Sequence, residues 1–281
     1  MIIDAHTHAF ARWPFGGDVP NSCGDADALM REMDAAGVDK ALVVCAAIGS
    51  GQNANPDNNA YVAGAASAHP DRLEVVADVD SRWSTSYHRS GAPGRLDAAV
   101  GETGAVGVTH YLDDAPDDWF RAGEGVDFLR AAQRSGVFLS LHARPAWFDQ
   151  LGDALAQVPD LPVLIHHQGH LEPNSPAYAD QLSLMAGLAR LPEVRVKVSG
   201  FHHLGDLDGA YPFASTHRAL LDLLKLFGVE RLLWGSDYPV SREHLTYPQT
   251  IEILDHFDLD EDGRRLVMGA NAARLLASGR P

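Results

Sequence analysis

Short apolar segments alternate with helix-like segments along the chain, and this alternation limits the fold more than any other sequence feature. The apolar segments are rich in β-branched residues and mostly uninterrupted, which is typical of strands buried on both faces. Eight strand and helix pairs follow one another, and an extra helix over residues 260–278 ends the pattern. The predicted strands are MIIDAH (1–6), KALVVCA (40–46), RLEVVADVD (72–80), AVGVTHY (105–111), VFLSLHA (137–143), LPVLIHHQG (161–169), VRVKVSG (194–200) and RLLWGSD (231–237).

Eight parallel repeats in a chain of 281 residues match the size of a (β/α)8 TIM barrel. A doubly wound open sheet is the alternative. However, no G-x-G-x-x-G motif follows the first strand, and no linker-like segment divides the chain. We therefore predict an α/β fold, a single TIM-barrel domain over residues 1–281 with an extra C-terminal helix.

The net charge of the chain indicates which classes of binding partner to expect. Lysine and arginine total 22 against 38 aspartates and glutamates, a net charge of −16, which disfavours nucleic acid and anionic membranes as partners. We see no signal peptide and no apolar run of about 20 residues, and Cys23 and Cys45 lack metal-motif spacing. These features predict a cytoplasmic protein with a small-molecule substrate. The oligomeric state stays open, a homo-oligomer included.

Histidines and one aspartate fall at the ends of the predicted strands, where TIM barrels carry their chemistry. His6 and His8 end the first strand and face the same way, because side chains two residues apart share a face. His142 ends the fifth strand, His167 the sixth, and Asp237 the eighth. Imidazoles and a carboxylate suit zinc, with manganese as the alternative. The pattern predicts one divalent metal ion held by His6 and His8, with His142 and Asp237.

The positions of the other histidines give less support for a role in the site. A His-x-His pair also occurs by chance, and some of the 14 histidines must be surface residues. Asp4 shares the strand parity of His6 and His8, so it is either a partner for an imidazole N–H or a polar residue at the barrel floor. Further strand-end histidines are His110 and His166, and the loop after strand seven adds His202 and His203. His69, His88, His217 and His256 are predicted at the surface.

Several segments resemble those of one known group of enzymes. They are DAHTH (4–8), AHPDRLEVVADVD (68–80), IHHQGH (165–170), KVSGF (197–201), LLWGSDYP (232–239) and GANAARLL (269–276). The chain resembles the amidohydrolase superfamily from end to end. The similar branch is the amidohydrolase-related (amidohydrolase 2) one, which holds small lactone hydrolases and non-oxidative decarboxylases of unsaturated or aromatic acids.

This resemblance implies a barrel with a mononuclear divalent metal site. By analogy, His6, His8, His142 and Asp237 are its ligands. His167 would lie beside the metal and hydrogen-bond the substrate or water, and Asp237 would take a proton from the attacking water.

Two departures from the family pattern bear on the substrate and the metal. Some lactonases of this branch work without metal and often lack the strand-five histidine, so His142 favours metal. Strand four usually ends in Gly-x-Arg, whose arginine binds a substrate carboxylate, but here it reads GVTH with Thr109 and His110. We therefore expect a neutral or singly anionic substrate rather than a polycarboxylate.

The predicted substrate contacts lie in loops on the same face of the barrel. Arg82 and Arg144 are either replacement clamps for an anion or ordinary surface arginines. The other predicted contacts are Trp83, His110 and Tyr238. The loop aromatics form an apolar lid or only pack the loops together; they are Trp13, Phe15, Trp83, Trp147, Phe201 and Tyr238.

Hydrolysis is the leading functional hypothesis: a metal-activated water opens a lactone or a related cyclic ester or amide. The Lys-x-Ser-Gly segment at 197–200 favours it. The alternative is non-oxidative decarboxylation of an unsaturated or aromatic acid at the same metal site. A non-catalytic binding protein on a degenerate barrel is the third class, and the complete set of histidines and aspartate argues against it.

Overall fold

Eight parallel strands form one sheet in chain order, each paired with the next, in a computed structural model that describes residues 1–204 and 211–278. The predicted (β/α)8 TIM barrel is confirmed. The strands are β1 (Ile3–Thr7), β2 (Lys40–Val44), β3 (Leu73–Asp78), β4 (Gly107–Tyr111), β5 (Phe138–His142), β6 (Val163–Ile165), β7 (Val194–Val198) and β8 (Leu232–Trp234).

Helices follow the strands as the sequence predicts. In the first helix the Asp25 side chain accepts the Ala28 N–H at 2.8 Å, and Gly37 ends the helix in the left-handed region at φ 69°. The helices are α1 (Ala26–Ala36), α2 (Asn58–Ala68), α3 (Ala92–Thr103), α4 (Gly123–Arg134), α5 (Phe148–Leu155), α6 (Tyr178–Ala189), α7 (His217–Phe227), α8 (Tyr247–Glu252), α9 (Glu261–Arg265) and α10 (Asn271–Ser278).

The last predicted helix is interrupted. Between α9 and α10 the chain forms a π-helical turn, Leu266–Ala270. Gly269 lies there against the N-terminal strand, where a Cβ atom would collide with the Met1 carbonyl oxygen. The helical periodicity of residues 260–278 does not predict this contact, because the contact joins opposite ends of the chain.

Apolar side chains fill the N-terminal end of the barrel. Ile3, Leu42, Val76 and Leu164 form a buried cluster, and Leu275 of α10 packs against it. Each such side chain contributes about 1.5–3 kcal/mol when fully buried. This plug leaves the C-terminal ends of the strands as the place where polar side chains converge.

The barrel closes where β8 returns to β1. The backbone N–H of Asp237 donates to the His6 carbonyl at 2.8 Å, and that of His8 donates to the Tyr238 carbonyl at 2.6 Å. Because these bonds interleave the two segments, they bring the Asp237 side chain next to His6 of β1 and to His8, which follows this strand.

Asp4 holds this junction from inside. Its carboxylate accepts hydrogen bonds from the backbone N–H groups of His6 and Ser236, both at 3.0 Å, and from the hydroxyls of Ser236 and Tyr247. Burial raises the pKa of Asp4 to about 6. Asp4 therefore links β1 to the segment after β8 through backbone and hydroxyl groups, not by orienting an imidazole.

Two further observations concern the whole described chain. No helix within residues 1–204 and 211–278 is long and apolar enough to cross a membrane. Cys23 and Cys45 are free thiols.

Candidate active site

The Asp237 carboxylate lies at the centre of a group of imidazoles. Its Oδ1 atom is 3.4 Å from His6 Nε2 and 3.5 Å from His8 Nε2, and all three side chains are buried. These distances exceed those of ordinary N–H···O hydrogen bonds. They match the separation of about 3.4 Å between two ligands that each lie about 2.1 Å from one tetrahedral ion.

His8 is oriented for metal binding by the neighbouring strand. Its Nδ1 atom lies 2.6 Å from the Val44 carbonyl oxygen, which accepts a hydrogen bond from the Nδ1–H group. The neutral ring then has its lone pair on Nε2, the nitrogen that faces Asp237.

His6 has an unusual partner behind it, the fully buried Lys197. Lys197 Nζ is 3.0 Å from His6 Nδ1 and donates to Ser140 Oγ at 2.7 Å. Burial lowers the pKa of Lys197 to about 7, so the neutral amine is accessible and can accept the Nδ1–H of His6. That arrangement leaves a lone pair on His6 Nε2, which is buried with no hydrogen-bond partner. The set His6, His8 and Asp237 therefore fits a divalent cation.

Asp237 is held in an uncommon backbone conformation. Its φ is 57°, in the left-handed region that non-glycine residues seldom adopt, a form of strain that clusters at functional sites. Burial alone would raise its carboxyl pKa, but the surrounding imidazoles of His167, His203, His6 and His8 hold the pKa of Asp237 well below its usual range. The group is therefore a carboxylate at neutral pH.

His167 lies beside the Asp237 carboxylate, with Nε2 4.0 Å from Oδ1. Its Nδ1 atom is 3.1 Å from the Ser199 hydroxyl. Burial keeps the pKa of His167 well below its usual value, so the ring is neutral. Gly200, at φ 63°, lies against this ring, and a Cβ atom there would collide with Nδ1. The Lys-x-Ser-Gly segment thus supplies a contact to His6, a contact to His167 and the space for the His167 ring.

His142 lies farther from the carboxylate than the sequence predicts. Its ring stacks on Tyr111 at 5.0 Å and meets the edge of His170 at 4.4 Å, and its centroid is 6.3 Å from that of His167. Within the described residues it does not join a compact donor group with Asp237. Burial lowers the pKa of His142 to about 3. Its role as a metal ligand stays a prediction.

Two histidines without a predicted role contact Asp237 directly. His203 Nε2 is 3.0 Å from Oδ2 and His202 Nε2 is 3.4 Å from the same atom. Both belong to the 3-10 turn Phe201–His203 that follows β7. The available signal was their position directly after the strand-seven motif, on the active face of the barrel.

Comparison with known proteins agrees with this geometry. The sequence profile of the amidohydrolase family matches residues 3–277. The chain belongs to the amidohydrolase family. A search of curated protein sequences gives no match.

Solved structures share the fold of this amidohydrolase at low sequence identity. An amidohydrolase from Burkholderia multivorans with bound zinc is 21% identical, with a TM-score of 0.78 and 99% of each chain covered. A probable 2-pyrone-4,6-dicarboxylic acid hydrolase from Acinetobacter baumannii with bound citric acid is 23% identical, with a TM-score of 0.72, covering 98% of this chain and 99% of the other. The 5-carboxyvanillate decarboxylase of Sphingomonas paucimobilis is 15% identical, with a TM-score of 0.65 and 98% of both chains covered.

The two arginines predicted to bind an anion both face an acidic residue in this amidohydrolase. Arg144 Nε is 2.7 Å from Asp114 Oδ1, and Arg82 Nη1 is 3.6 Å from the same oxygen. Arg144 also lies 3.9 Å from Glu172. All three contacts lie at the exposed rim, so each guanidinium already has an intramolecular carboxylate partner.

Trp83 and Tyr238 make structural hydrogen bonds. Trp83 Nε1 donates to Asp78 Oδ2 at 2.8 Å, and the Tyr238 hydroxyl donates to the Cys23 carbonyl at 2.8 Å. Tyr238 is buried. Their polar groups are occupied, and direct substrate contact by either side chain stays a prediction.

His110 belongs to a separate buried network. Its Nδ1 atom is 2.9 Å from the Val79 carbonyl, and its Nε2 atom is 3.2 Å from His88 Nε2. His88 in turn contacts Asp117 at 2.6 Å and stacks on Trp119 at 4.2 Å. The prediction that His88 lies on the surface is wrong: only 6% of its side chain is exposed, because the stacked rings cover it.

The loop aromatics divide into two groups. Trp147 and Phe201 are buried packing residues. Trp13 and Phe15 meet edge to face at 5.2 Å and border a cavity of about 250 Å³ beside Asp237. The rest of this cavity is formed by His202, His203, Val240, Glu243 and His244.

A larger cleft of about 600 Å³ lies at the opposite end of the barrel. It is bordered by Val106, Phe138 and Pro162 near the starts of strands, and by Leu276 of α10. None of the histidines around Asp237 borders it. Because TIM-barrel chemistry takes place at the C-terminal face, the smaller cavity is the candidate substrate site.

Proposed function

We propose that this amidohydrolase opens a lactone, or a related cyclic ester or amide, of a small organic molecule with the help of one divalent metal ion, zinc or manganese. The observation that carries the proposal is the buried carboxylate of Asp237, which lies 3.4 and 3.5 Å from the Nε2 atoms of His6 and His8 and whose pKa the surrounding imidazoles hold well below its usual range. It lies beside a cavity of about 250 Å³ at the C-terminal face of the barrel.

The metal ion would be held by His6, His8 and Asp237, with His142 as the additional predicted ligand. When bound, it supplies a Lewis acid that polarises a carbonyl oxygen and lowers the pKa of water. The unpartnered Nε2 atom of His6 and the oriented Nε2 atom of His8 support this assignment.

Asp237 acts as the general base. Its carboxylate accepts a proton from water as the water oxygen bonds to the acyl carbon, and the ring C–O or C–N bond then breaks. The proton passes from Asp237 to the leaving oxygen or nitrogen, so that the product is an open hydroxy acid or amino acid. General base catalysis of this kind contributes about 10²–10⁴ in rate.

His167 is placed to donate a hydrogen bond to the developing oxyanion. When the Ser199 hydroxyl donates to Nδ1 over 3.1 Å, the neutral ring carries its proton on Nε2. That nitrogen points towards the Asp237 carboxylate. A fixed donor in a buried site stabilises the transition state without having to reorganise.

The cavity favours a substrate without several carboxylates. Trp13 and Phe15 supply an apolar wall, Glu243 adds a negative charge, and no lysine or arginine borders the cavity among the described residues. Arg82 and Arg144 already pair with Asp114. A ring with one carbonyl therefore fits better than a di- or tricarboxylate, in contrast to the dicarboxylate named for the Acinetobacter baumannii hydrolase.

Non-oxidative decarboxylation is the second candidate, because a decarboxylase shares the fold over 98% of both chains. There Asp237 would deliver a proton to the substrate carbon that loses CO2. The Lys-x-Ser-Gly segment at 197–200 resembles that of the lactone hydrolases, and this resemblance favours hydrolysis.

The test is a side-by-side assay of lactones, cyclic amides and aromatic acids with zinc- and manganese-loaded protein. Lactone opening is followed by acid release in a pH-stat, cyclic amide opening by chromatography of the amino acid product, and decarboxylation by CO2 detection. We expect ring opening that disappears after chelation and returns with metal, with exposed Asp255→Asn as the control variant. Full activity in metal-free protein, or CO2 release without ring opening, would contradict the proposal.

A further inference from the structure

An aromatic corner, formed by Trp13 and Phe15, borders the cavity beside Asp237. The two rings meet edge to face, with centroids 5.2 Å apart and planes at 79°. The Phe15 side chain is 42% exposed, so part of its ring is open to a ligand. The indole N–H of Trp13 donates to the Gly16 carbonyl at 3.0 Å, which fixes the orientation of the ring. The corner therefore offers aromatic surface to the cavity but no hydrogen-bond donor.

Ring contacts separate this corner from the candidate metal ligands. Phe10 stacks on the imidazole of His8 at 5.7 Å and meets the edge of Phe15 at 5.9 Å. A group bound at Phe15 therefore lies two ring contacts away from His8. That distance is too long for the carbonyl that reacts at the metal site, so the corner is placed to recognise a side chain of the substrate.

The charged residue at this cavity is a carboxylate. Glu243 is exposed and borders the cavity, and it has no ion-pair partner within residues 1–204 and 211–278. In the same part of the chain, no lysine or arginine borders the cavity. The guanidinium of the adjacent Arg242 donates to the Cys23 carbonyl at 2.9 Å instead. The negative charge of Glu243 is therefore open to a positively charged ligand.

We propose that this cavity binds an alkylammonium group, so that the substrate is a lactone or cyclic amide with an ammonium group on a side chain. The ring faces of Trp13 and Phe15 attract a cation through their π electrons, and Glu243 supplies the opposite charge. A cavity of about 250 Å³ leaves room for a single ring with a short side chain. The identity of the reacting ring rests on the proposed function, whereas binding of the ammonium group does not depend on it.

The inference ranks three kinds of side chain. An ammonium group gains from the aromatic rings and from Glu243, and an uncharged group of the same shape gains only apolar contact. A carboxylate is repelled by Glu243. Of the neutral and singly anionic substrates expected from strand four, the anionic one is therefore the less favoured. The net charge of −16 attracts any cation to the protein, so the test needs variants that separate the cavity from this general effect.

The first experiment measures binding without turnover. Choline is compared with its uncharged isostere, in which a tert-butyl group replaces the trimethylammonium group, by ligand-observed NMR on the full-length protein. We expect choline to bind at least about fivefold more tightly than the isostere. Glu243→Gln and Phe15→Leu should each weaken choline binding about threefold. The control Asp180→Asn, at an exposed position on α6, should leave it unchanged, and circular dichroism checks that each variant is folded.

The second experiment measures substrate choice with a matched pair of γ-butyrolactones. Both carry a methylene side chain on the ring carbon next to the ring oxygen; one side chain ends in a trimethylammonium group and the other in a tert-butyl group. We expect kcat/KM to favour the charged lactone by about fivefold in the wild type. This ratio should fall about threefold in Glu243→Gln and stay the same in Asp180→Asn.

Several results would overturn the inference. They are absence of choline binding, equal binding of choline and its isostere, and choline binding that is unchanged in Glu243→Gln or equally weakened in Asp180→Asn. Equal kcat/KM values for the two lactones would remove the specificity and leave the proposed function standing. If no lactone were opened, the proposed function would fail, and the binding measurement would still decide whether the cavity takes an ammonium group.

Discussion

Two groups of charged and titratable residues lie at the same end of the barrel, but they differ in how their polar atoms are used. The seam cluster surrounds one carboxylate, and some of its nitrogens have no hydrogen-bond partner. In the wall cluster every member contacts a partner of opposite charge or a hydrogen-bonding group. The seam cluster is His6, His8, His202, His203 and Asp237, and the wall cluster is Arg82, His88, His110, Asp114, Asp117 and Arg144.

This difference separates a site from a structural network. Buried polar groups normally have hydrogen-bond partners, so the exceptions need an explanation. At the seam, the metal ion of the proposed function would account for the free nitrogen of His6. In the wall, the pairs are complete without a ligand. The number of histidines and acidic residues does not distinguish the two clusters. The buried nitrogens without a hydrogen-bond partner do.

The largest expected effect comes from the seam carboxylate. Asp237→Asn should lower kcat for ring opening by about 10²–10⁴, because the amide cannot accept the proton of water. The matched wall variant, Asp117→Asn, should stay within a few-fold of the wild type. The measurement is steady-state turnover of a lactone found active in the panel.

Metal content and folding must be measured for both aspartate variants. Near-normal turnover in Asp237→Asn would remove the base role. An equal loss in both variants would show that the two clusters are not functionally distinct.

The next effect concerns Asp78, a buried carboxyl group on the wall side that contacts the Ala47 N–H and Trp83 Nε1. Burial raises the pKa of Asp78 to about 6 from its usual 3.8. Because the folded-state pKa is raised, the folded protein favours the protonated group. Its contribution to the free energy of unfolding is greatest below pH 3.8 and falls as the pH rises towards 6 and beyond. The full loss is about 3 kcal/mol.

Asp78→Asn should lack this dependence. The wild-type minus variant difference in free energy of unfolding, measured in urea, should therefore fall by about 2.4 kcal/mol between pH 4 and pH 7. A constant difference over that range would contradict the assignment.

A smaller loss of stability is expected from His88→Ala. The change removes ring contacts to Tyr87 at 3.7 Å and Trp119 at 4.2 Å, and leaves His110 Nε2 without its partner. We expect the free energy of unfolding to fall by about 2 kcal/mol, with the zinc content unchanged. His8→Ala should have the opposite pattern: the protein should lose zinc, and its free energy of unfolding without metal should change less than that of His88→Ala. Loss of zinc from folded His88→Ala would mean that the wall supports the metal site.

The smallest expected effect is on substrate choice. Glu243→Lys reverses a charge at the cavity and should improve kcat/KM for a carboxylate-bearing lactone relative to a neutral one by about tenfold, or about 1.4 kcal/mol. Asp180→Lys, at an exposed position on α6, is the control and should leave this ratio unchanged. An unchanged ratio in Glu243→Lys would place the substrate elsewhere.

The periodic parts of the fold could be predicted from the sequence because they depend on local pattern. Strand runs, the Asp25 cap and the Gly37 stop signal define elements without long-range knowledge. The break in the last helix at Gly269 could not be predicted, because it depends on a close approach to Met1 at the other end of the chain.

In the candidate site, too, some features follow from local sequence pattern and others depend on long-range contacts. His6, His8 and Asp237 meet because strand ends of a barrel converge, which the strand pattern predicts. The position of His203 depends on the geometry of the turn after β7, and the distance of His142 from Asp237 depends on the direction of its ring across the barrel. No local pattern specifies either. The pairing of Arg82 and Arg144 with Asp114 depends on loop geometry in the same way.

The link from Asp4 to Ser236 spans 232 residues of sequence, and this separation has a consequence in time. A ribosome adds about 5–20 residues per second, so about 10–50 s pass between synthesis of the first strand and of the last. During that interval His6 and His8 have no Asp237 with which to form the candidate donor group. If the site binds the proposed metal ion, loading with all three ligands is therefore expected only after almost the entire chain has been synthesised.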